Sequence, residues 1–231
     1  MSERLLALLA CRDEMRHLPG FLRNVGPQVD AIVALDDGST DGSAELLDAA
    51  PEVLEVLRVA ADRPAWDEMG NFRRLVDAAL RHGATWAMSV DADERLERGF
   101  RERAERIIAS GEHAAYAVRM RELWGSREAF RCDGLWGGKA PPRLFAVAPG
   151  QTFSDAELHA PKVPLGVSVG RADLEVYHLR MIAADDRRAR RERYERLDPT
   201  ARWQPRQGYA YLTDERGLEL CAVDPDRGFV D

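Results

Sequence analysis

Lysine is almost missing from this chain. Of its 33 basic residues only Lys139 and Lys162 are lysines; all the others are arginines. Positive charge is also in deficit, with 40 acidic residues leaving a net charge of −7, which argues against a general nucleic-acid binder. Cysteine is scarce: Cys11, Cys132 and Cys221 are odd in number, widely spaced and lack a paired metal spacing. They read as reduced thiols of a cytoplasmic protein. No apolar run approaches the roughly 20 residues a membrane span needs. The opening segment from Met1 to Ala10 carries charge too early, and is too short, to read as a signal peptide. What is present is an ordinary globular composition, 45% hydrophobic and 32% charged over 231 residues, enough for one well-buried domain. The arginine bias reflects a GC-rich genome. It also directs any search for phosphate contacts to arginines, whose planar fork suits bidentate binding.

Strand and helix signals alternate over the first 110 residues. Leu5–Ala10 reads as a buried strand, followed by Cys11-Arg-Asp-Glu14 and a helix through Phe21 to Val25. Ala31–Leu35 is a second apolar strand, running into the turn-rich Asp36-Asp-Gly-Ser-Thr-Asp-Gly-Ser43. A helix over Ala44–Ala50 stops at Pro51, and Val53–Val59 follows as a third strand. Phe72, Leu75, Val76, Ala79 and Leu80 recur at helical spacing before Gly83. Trp86–Val90 makes a fourth strand, with a further helix starting near Arg98. This alternation predicts a mainly parallel sheet flanked by helices. Ligands of such sheets sit at the carboxyl ends of the strands. Those ends carry Arg12 and Glu14, Asp36 and Asp37, and Asp91 and Asp93.

The stretch Asp91-Ala-Asp-Glu94 is the sharpest of these. Strand alternation would let Asp91 and Asp93 point the same way at the strand mouth, where converging carboxylates repel unless a hard cation sits between them. Taken alone, Asp-x-Asp also serves as an acidic turn. Beyond residue 110, strands are expected at Tyr116–Arg121, Arg143–Val147 and Leu174–Leu179, with an irregular loop over 134–142. A basic helix from Met181 to Leu197 would pack through Met181, Ile182, Tyr194 and Leu197. Its segment 187–196 reads as a solvated helix laced with Glu–Arg pairs, or as a peripheral membrane contact. Residues 203–231 read as a wrapped extension.

Three segments together resemble the family 2 glycosyltransferases of the GT-A fold. They are the strand leading into Asp36–Ser43, the Val90-Asp-Ala-Asp-Glu94 segment about fifty residues on, and Cys11-Arg-Asp-Glu14 after the first strand. The resemblance implies a GT-A (Rossmann-like) α/β domain. Its nucleotide-sugar half would be residues 1–110 and its acceptor and catalytic half 111–180, with 181–231 as a C-terminal extension. It implies transfer of a sugar from a UDP-, GDP- or TDP-linked donor to an acceptor hydroxyl, with inversion, helped by Mn²⁺ or Mg²⁺. Arg12, Glu14, Asp36 and Asp37 would then line the nucleoside pocket, with Asp91 and Ala92 beside them. Arg73 or Arg74 would help hold the diphosphate. Asp93 would be the direct metal ligand, Asp91 a lesser one, and His178, or else His159, would complete the shell. Gly137 and Gly138 of the glycine loop would border the donor.

An inverting transferase needs a carboxylate to take the acceptor's proton. Asp155, Glu157 and then Asp133 are the candidates, because the family's common Glu-Asp pair is absent in that form. Two other readings stay open. A nucleotidyltransferase would show a glycine-rich loop with a basic residue after strand one, and Cys11–Arg16 has no glycine. A non-catalytic nucleotide-sugar-binding module is the other.

Overall fold

The computed structural model describes residues 3–59, 67–155, 160–206 and 208–231. Ten strands and six helices follow in the order β1 (Leu5–Cys11), α1 (Leu18–Val25), β2 (Ala31–Asp36), α2 (Ser43–Ala49), β3 (Val53–Arg58), α3 (Glu68–Arg81), β4 (Trp86–Ser89), β5 (Glu94–Leu96), α4 (Phe100–Ser110), β6 (Ala115–Glu122), β7 (Ala129–Arg131), α5 (Gly134–Gly137), β8 (Pro142–Ala146), β9 (Val169–His178), α6 (Ala184–Leu197) and β10 (Leu220–Ala222), among the described residues. Eight strands form one sheet in the order β3-β2-β1-β4-β8-β6-β9-β5. Strands β3, β2, β1 and β4 run parallel; β8 enters antiparallel between β4 and β6. Helices cover both faces. This is a mixed, mainly parallel α/β sheet of the GT-A kind.

The alternating apolar residues of β1 explain the two-sided core. Leu5, Ala7 and Leu9 face Phe21 and Val25 of α1 and Leu47 of α2, while Leu6 and Leu8 face Phe72, Leu75 and Val76 of α3. Both central strands are buried nearly throughout, as a parallel sheet with helices on each side demands. Chain order reverses beside β1: the chain steps through β2 to β3, then returns to place β4 on the other side. Such a switch point opens a crevice at the carboxyl ends of β1 and β4.

Several expectations change here. The chain over 134–142 is not wholly irregular: α5 occupies 134–137, and β8 already begins at Pro142. The basic helix starts at Ala184, after a short 3₁₀ turn over Leu179–Met181. Leu197 is 52% exposed and so does not pack. Met181, Ile182 and Tyr194 do pack inward, and Arg187 joins them, buried with its guanidinium 4.0 Å above Trp124. The cysteines are not all free. Cys132 and Cys221 form a disulfide that fastens β10 of the tail to β7, leaving Cys11 as a buried free thiol. Spacing could not reveal this pair, because strand pairing, not sequence proximity, brings the two together. No helix of the described residues is long and apolar enough to cross a membrane.

Candidate functional site

The Asp36–Ser43 turn clamps the loop after β1. Ser39 Oγ accepts from the Asp13 backbone N–H at 2.9 Å, Ser43 Oγ from Glu14 N–H at 2.9 Å, and Asp41 Oδ2 from Met15 N–H at 2.9 Å. In return Asp13 Oδ1 accepts from Thr40 N–H at 2.7 Å, with Asp13 held at φ 53° in the left-handed region. The turn's serines and its third aspartate thus position the neighbouring loop. Its first two aspartates face elsewhere. Asp36 accepts from Ser39 N–H and lies 3.6 Å from Arg58; buried Asp37 accepts from Asn71 Nδ2 at 3.1 Å. Asn71 sits on α3, so Asp37 is fixed at the wall of the crevice.

Strand β4 ends at Ser89, short of the predicted Val90, so Asp91 and Asp93 lie in a turn where strand alternation no longer applies. They meet different partners. The Asp91 side chain, 40% exposed, lies 3.2 Å from Lys162 Nζ and 3.6 Å from Arg143 Nη2. Asp93 is buried and accepts from Arg180 Nε at 2.5 Å, with His178 Nε2 at 3.2 Å. Glu94 turns inward, where its carboxylate accepts from Asp91 N–H and from Arg143, both at 2.9 Å. Under the turn, buried Arg95 donates to the carbonyls of Ala92, Glu94 and His17 and to Asp231. Ala92 therefore serves the turn through its backbone.

A second layer surrounds His178. Its Nδ1 meets Glu122 of β6, which Lys139 also holds. Arg190 Nη1 lies 3.0 Å from Nε2. Burial alone would lower the imidazole's pKa, but Glu122 and Asp93 outweigh it and lift the value to about 9. Burial likewise opposes ionisation of Asp91, yet Lys162 and Arg143 bring it down to about 2. His178 is thus held between two carboxylates, Glu122 at Nδ1 and Asp93 at Nε2.

Glu14 pairs with Arg180, while Arg12 is half exposed and lies 3.9 Å from Asp13. Arg73 donates to the Ser154 carbonyl and to Asp155, and Arg74 to the Arg58 carbonyl. Asp155 is almost fully exposed. Glu157 and His159 lie outside the described residues. Asp133 is occupied by Arg131 and by the Glu219 N–H, which makes it a structural residue of the tail junction. At Gly137 an added Cβ would lie 2.2 Å from the Cys132 carbonyl, so glycine there serves a tight chain approach; Gly138 has open space around it.

Metal fit is poor. Among the described residues no group of three or more His, Cys, Asp or Glu side chains is arranged to hold an ion. Asp91 and Asp93 are each already paired with a side-chain cation, and both ring nitrogens of His178 already have carboxylate partners. Sequence reasoning missed these cations, namely Arg143, Lys162, Arg180, Arg190 and Lys139. One signal was available: in a chain nearly devoid of lysine, both lysines are at this site. A cavity of about 40 Å³ sits beside Lys162, lined also by Leu8, Ala10, Glu68, Phe72 and Asp91.

Fold and site together define a GT-A-like α/β protein with an acidic, cation-paired crevice at the switch point of its sheet. No family model matches the chain. It is 28% identical over 211 residues to an uncharacterized protein of Mycobacterium tuberculosis and, equally, to one of Mycobacterium bovis, the match covering 87% of this chain and 52% of each relative. The chain therefore spans about half the length of the curated relatives it matches. Among solved structures, residues 1–349 of S. aureus TarS align with a TM-score of 0.57 at 13% identity, covering 92% of this chain and 77% of that one. The same TarS segment in complex with UDP-GlcNAc gives 0.57 at 11% identity, with the same coverage. At such identities the likeness establishes the fold.

Proposed function

We propose that this chain is a glycosyltransferase that moves a sugar from a nucleotide-diphosphate donor to an acceptor hydroxyl. One observation carries the reading. Asp37 and the Asp91–Asp93 turn border one crevice at the switch point of a fold shared with TarS, which has been solved with UDP-GlcNAc. A UDP-linked donor is accordingly favoured over GDP- or TDP-linked ones. Asp37 and Glu14, with Arg12 at the rim, would receive the nucleoside. The diphosphate would lie toward Asp91 and its cations, with Ala92 and Gly138 lining the path of the sugar.

In the reaction the bond from the anomeric carbon to the diphosphate oxygen breaks, and its electron pair stays on that oxygen. The acceptor oxygen bonds to the same carbon from the opposite face, giving inversion. Its proton goes to a carboxylate, which we assign to exposed Asp155, with Glu157 as the second choice. Mn²⁺ or Mg²⁺, the expected cofactor, finds no open ligand set in this arrangement, and no step here depends on it.

A thermal-shift panel tests the reading, because a ligand of the folded state raises the melting temperature. UDP, GDP, TDP and CDP are each compared, with and without Mn²⁺, against the triphosphates. A shift with one diphosphate supports the transferase. A shift confined to triphosphates would instead mark a nucleotidyltransferase.

A further inference from the structure

We propose that Lys162, Arg143 and Arg180 bind the donor's diphosphate directly, in the place a divalent cation would otherwise hold. The inference rests on the transferase reading and concerns how its leaving group is held.

A bridging metal must coordinate anionic oxygens, and here the candidate oxygens already have partners. Asp91 has Lys162 and Arg143; Asp93 has Arg180 and His178. To admit a dication, these cations would have to leave. They are poorly able to do so, with side-chain exposures of 18% for Lys162, 13% for Arg143 and 29% for Arg180. Each is also tied to a second carboxylate: Lys162 to Glu68, Arg143 to Glu94, and Arg180 to Glu14. The cations are thus built in, and the carboxylates act as their fixed supports.

What such a cluster can take is an anion. Lys162 lines the cavity beside the exposed Asp91, Arg143 reaches the same carboxylate and Arg180 the neighbouring Asp93, so an incoming phosphate meets an ammonium with two guanidiniums gathered behind the turn. Next to His178, the buried Arg190 Nε finds no acceptor among the described residues. Three elements supply the three cations: β8 carries Arg143, the 3₁₀ turn after β9 carries Arg180, and the chain before β9 carries Lys162. A diphosphate spanning them would be fixed at more than one point. Fixed cations also offset the charge that stays on the diphosphate when the glycosidic bond breaks.

The test is calorimetric titration of the full chain with UDP, then GDP, TDP and CDP, in EDTA and again in Mn²⁺. MnCl₂ alone serves as the metal probe. The proposal expects one nucleotide to bind in EDTA with an affinity within about threefold of that in Mn²⁺, and no binding of Mn²⁺ alone. Lys162→Ala and Arg180→Ala should each weaken that nucleotide by about tenfold or more; Lys162→Met, which keeps the aliphatic stem, covers a folding failure of the alanine variant. Binding that needs Mn²⁺, or affinities unmoved in folded variants, would overturn the cation assignment and leave the transferase reading intact. If none of the four nucleotides binds in either condition, the transferase reading falls and takes the inference with it.

Discussion

Glu122 and His178 are hydrogen-bonded inside the sheet, 56 residues apart in sequence, through Glu122 Oε2 and His178 Nδ1. They face each other because β6 and β9 run parallel with Glu122 opposite His178. The carboxylate is almost wholly buried, and His178 and Lys139 hold its pKa far below the ordinary range against the opposing effect of burial. Glu122→Ala should therefore leave Lys139 without its carboxylate partner and buried His178 with Asp93 alone. The expected loss is about 3–5 kcal/mol in urea unfolding. A loss under 1 kcal/mol would mean that the pair is not charged in the native state.

Arg95 is the keystone of the Asp91–Glu94 turn. It is 1% exposed and donates to three carbonyls and to Asp231. Arg95→Met keeps the packing stem but orphans those acceptors, at an expected cost of about 2–4 kcal/mol. Differential denaturation reads the stability. Nucleotide affinity should fall in parallel, because Ala92 lies in the turn that Arg95 holds.

The Cys132–Cys221 bridge closes a separation of 89 residues and pins the tail strand to β7. Reduction, or Cys132→Ser, should lower the stability by about 2–4 kcal/mol. Mass spectrometry after alkylation of the native, unreduced protein should find Cys132 and Cys221 unmodified. Cys11 should also resist alkylation, because burial, with Asp36 and Glu14 adding to it, pushes its thiol up to about 12.

His17 supplies a pH dependence. Burial, outweighing the pull of Asp93, lowers its pKa to about 4, against 6.5 for a free histidine. Between those values the unfolded chain binds a proton that the folded chain refuses, so this contribution to stability is full above 6.5 and is lost as pH falls toward 4. The expected slope is at most about 1.4 kcal/mol per pH unit. His17→Gln should flatten the stability curve in that window relative to wild type, as followed by urea midpoints; an unchanged curve would contradict the assignment.

Much of the sheet was legible from local pattern. The apolar runs Leu5–Ala10, Ala31–Leu35 and Trp86–Val90 fall within a residue or so of the observed strands, because parallel strands buried on both faces leave a continuous signal. Asp37, Asp91 and Asp93 were legible because they end such runs. The short strand β5 was not, since Glu94-Arg-Leu96 pairs only with the distant β9 and carries an inward arginine. The cations of the site were hidden for the same reason: Arg143, Lys162 and Arg180 reach the acidic turn through tertiary structure, 49 to 87 residues from their partners. Cys132 and Cys221 misled because an odd count of widely spaced thiols resembles a reduced set until strand pairing joins two of them.

The central claim is sugar transfer from a nucleotide-diphosphate donor, and nucleoside-diphosphate release reads it most directly. The chain is incubated with UDP-, GDP- and TDP-linked sugars, with simple hydroxyl acceptors or water, and the free diphosphate is quantified. The account predicts release from one donor class, UDP-linked first, reduced at least tenfold in Asp37→Ala. Absence of release from every donor, together with pyrophosphate release from a nucleoside triphosphate, would contradict it.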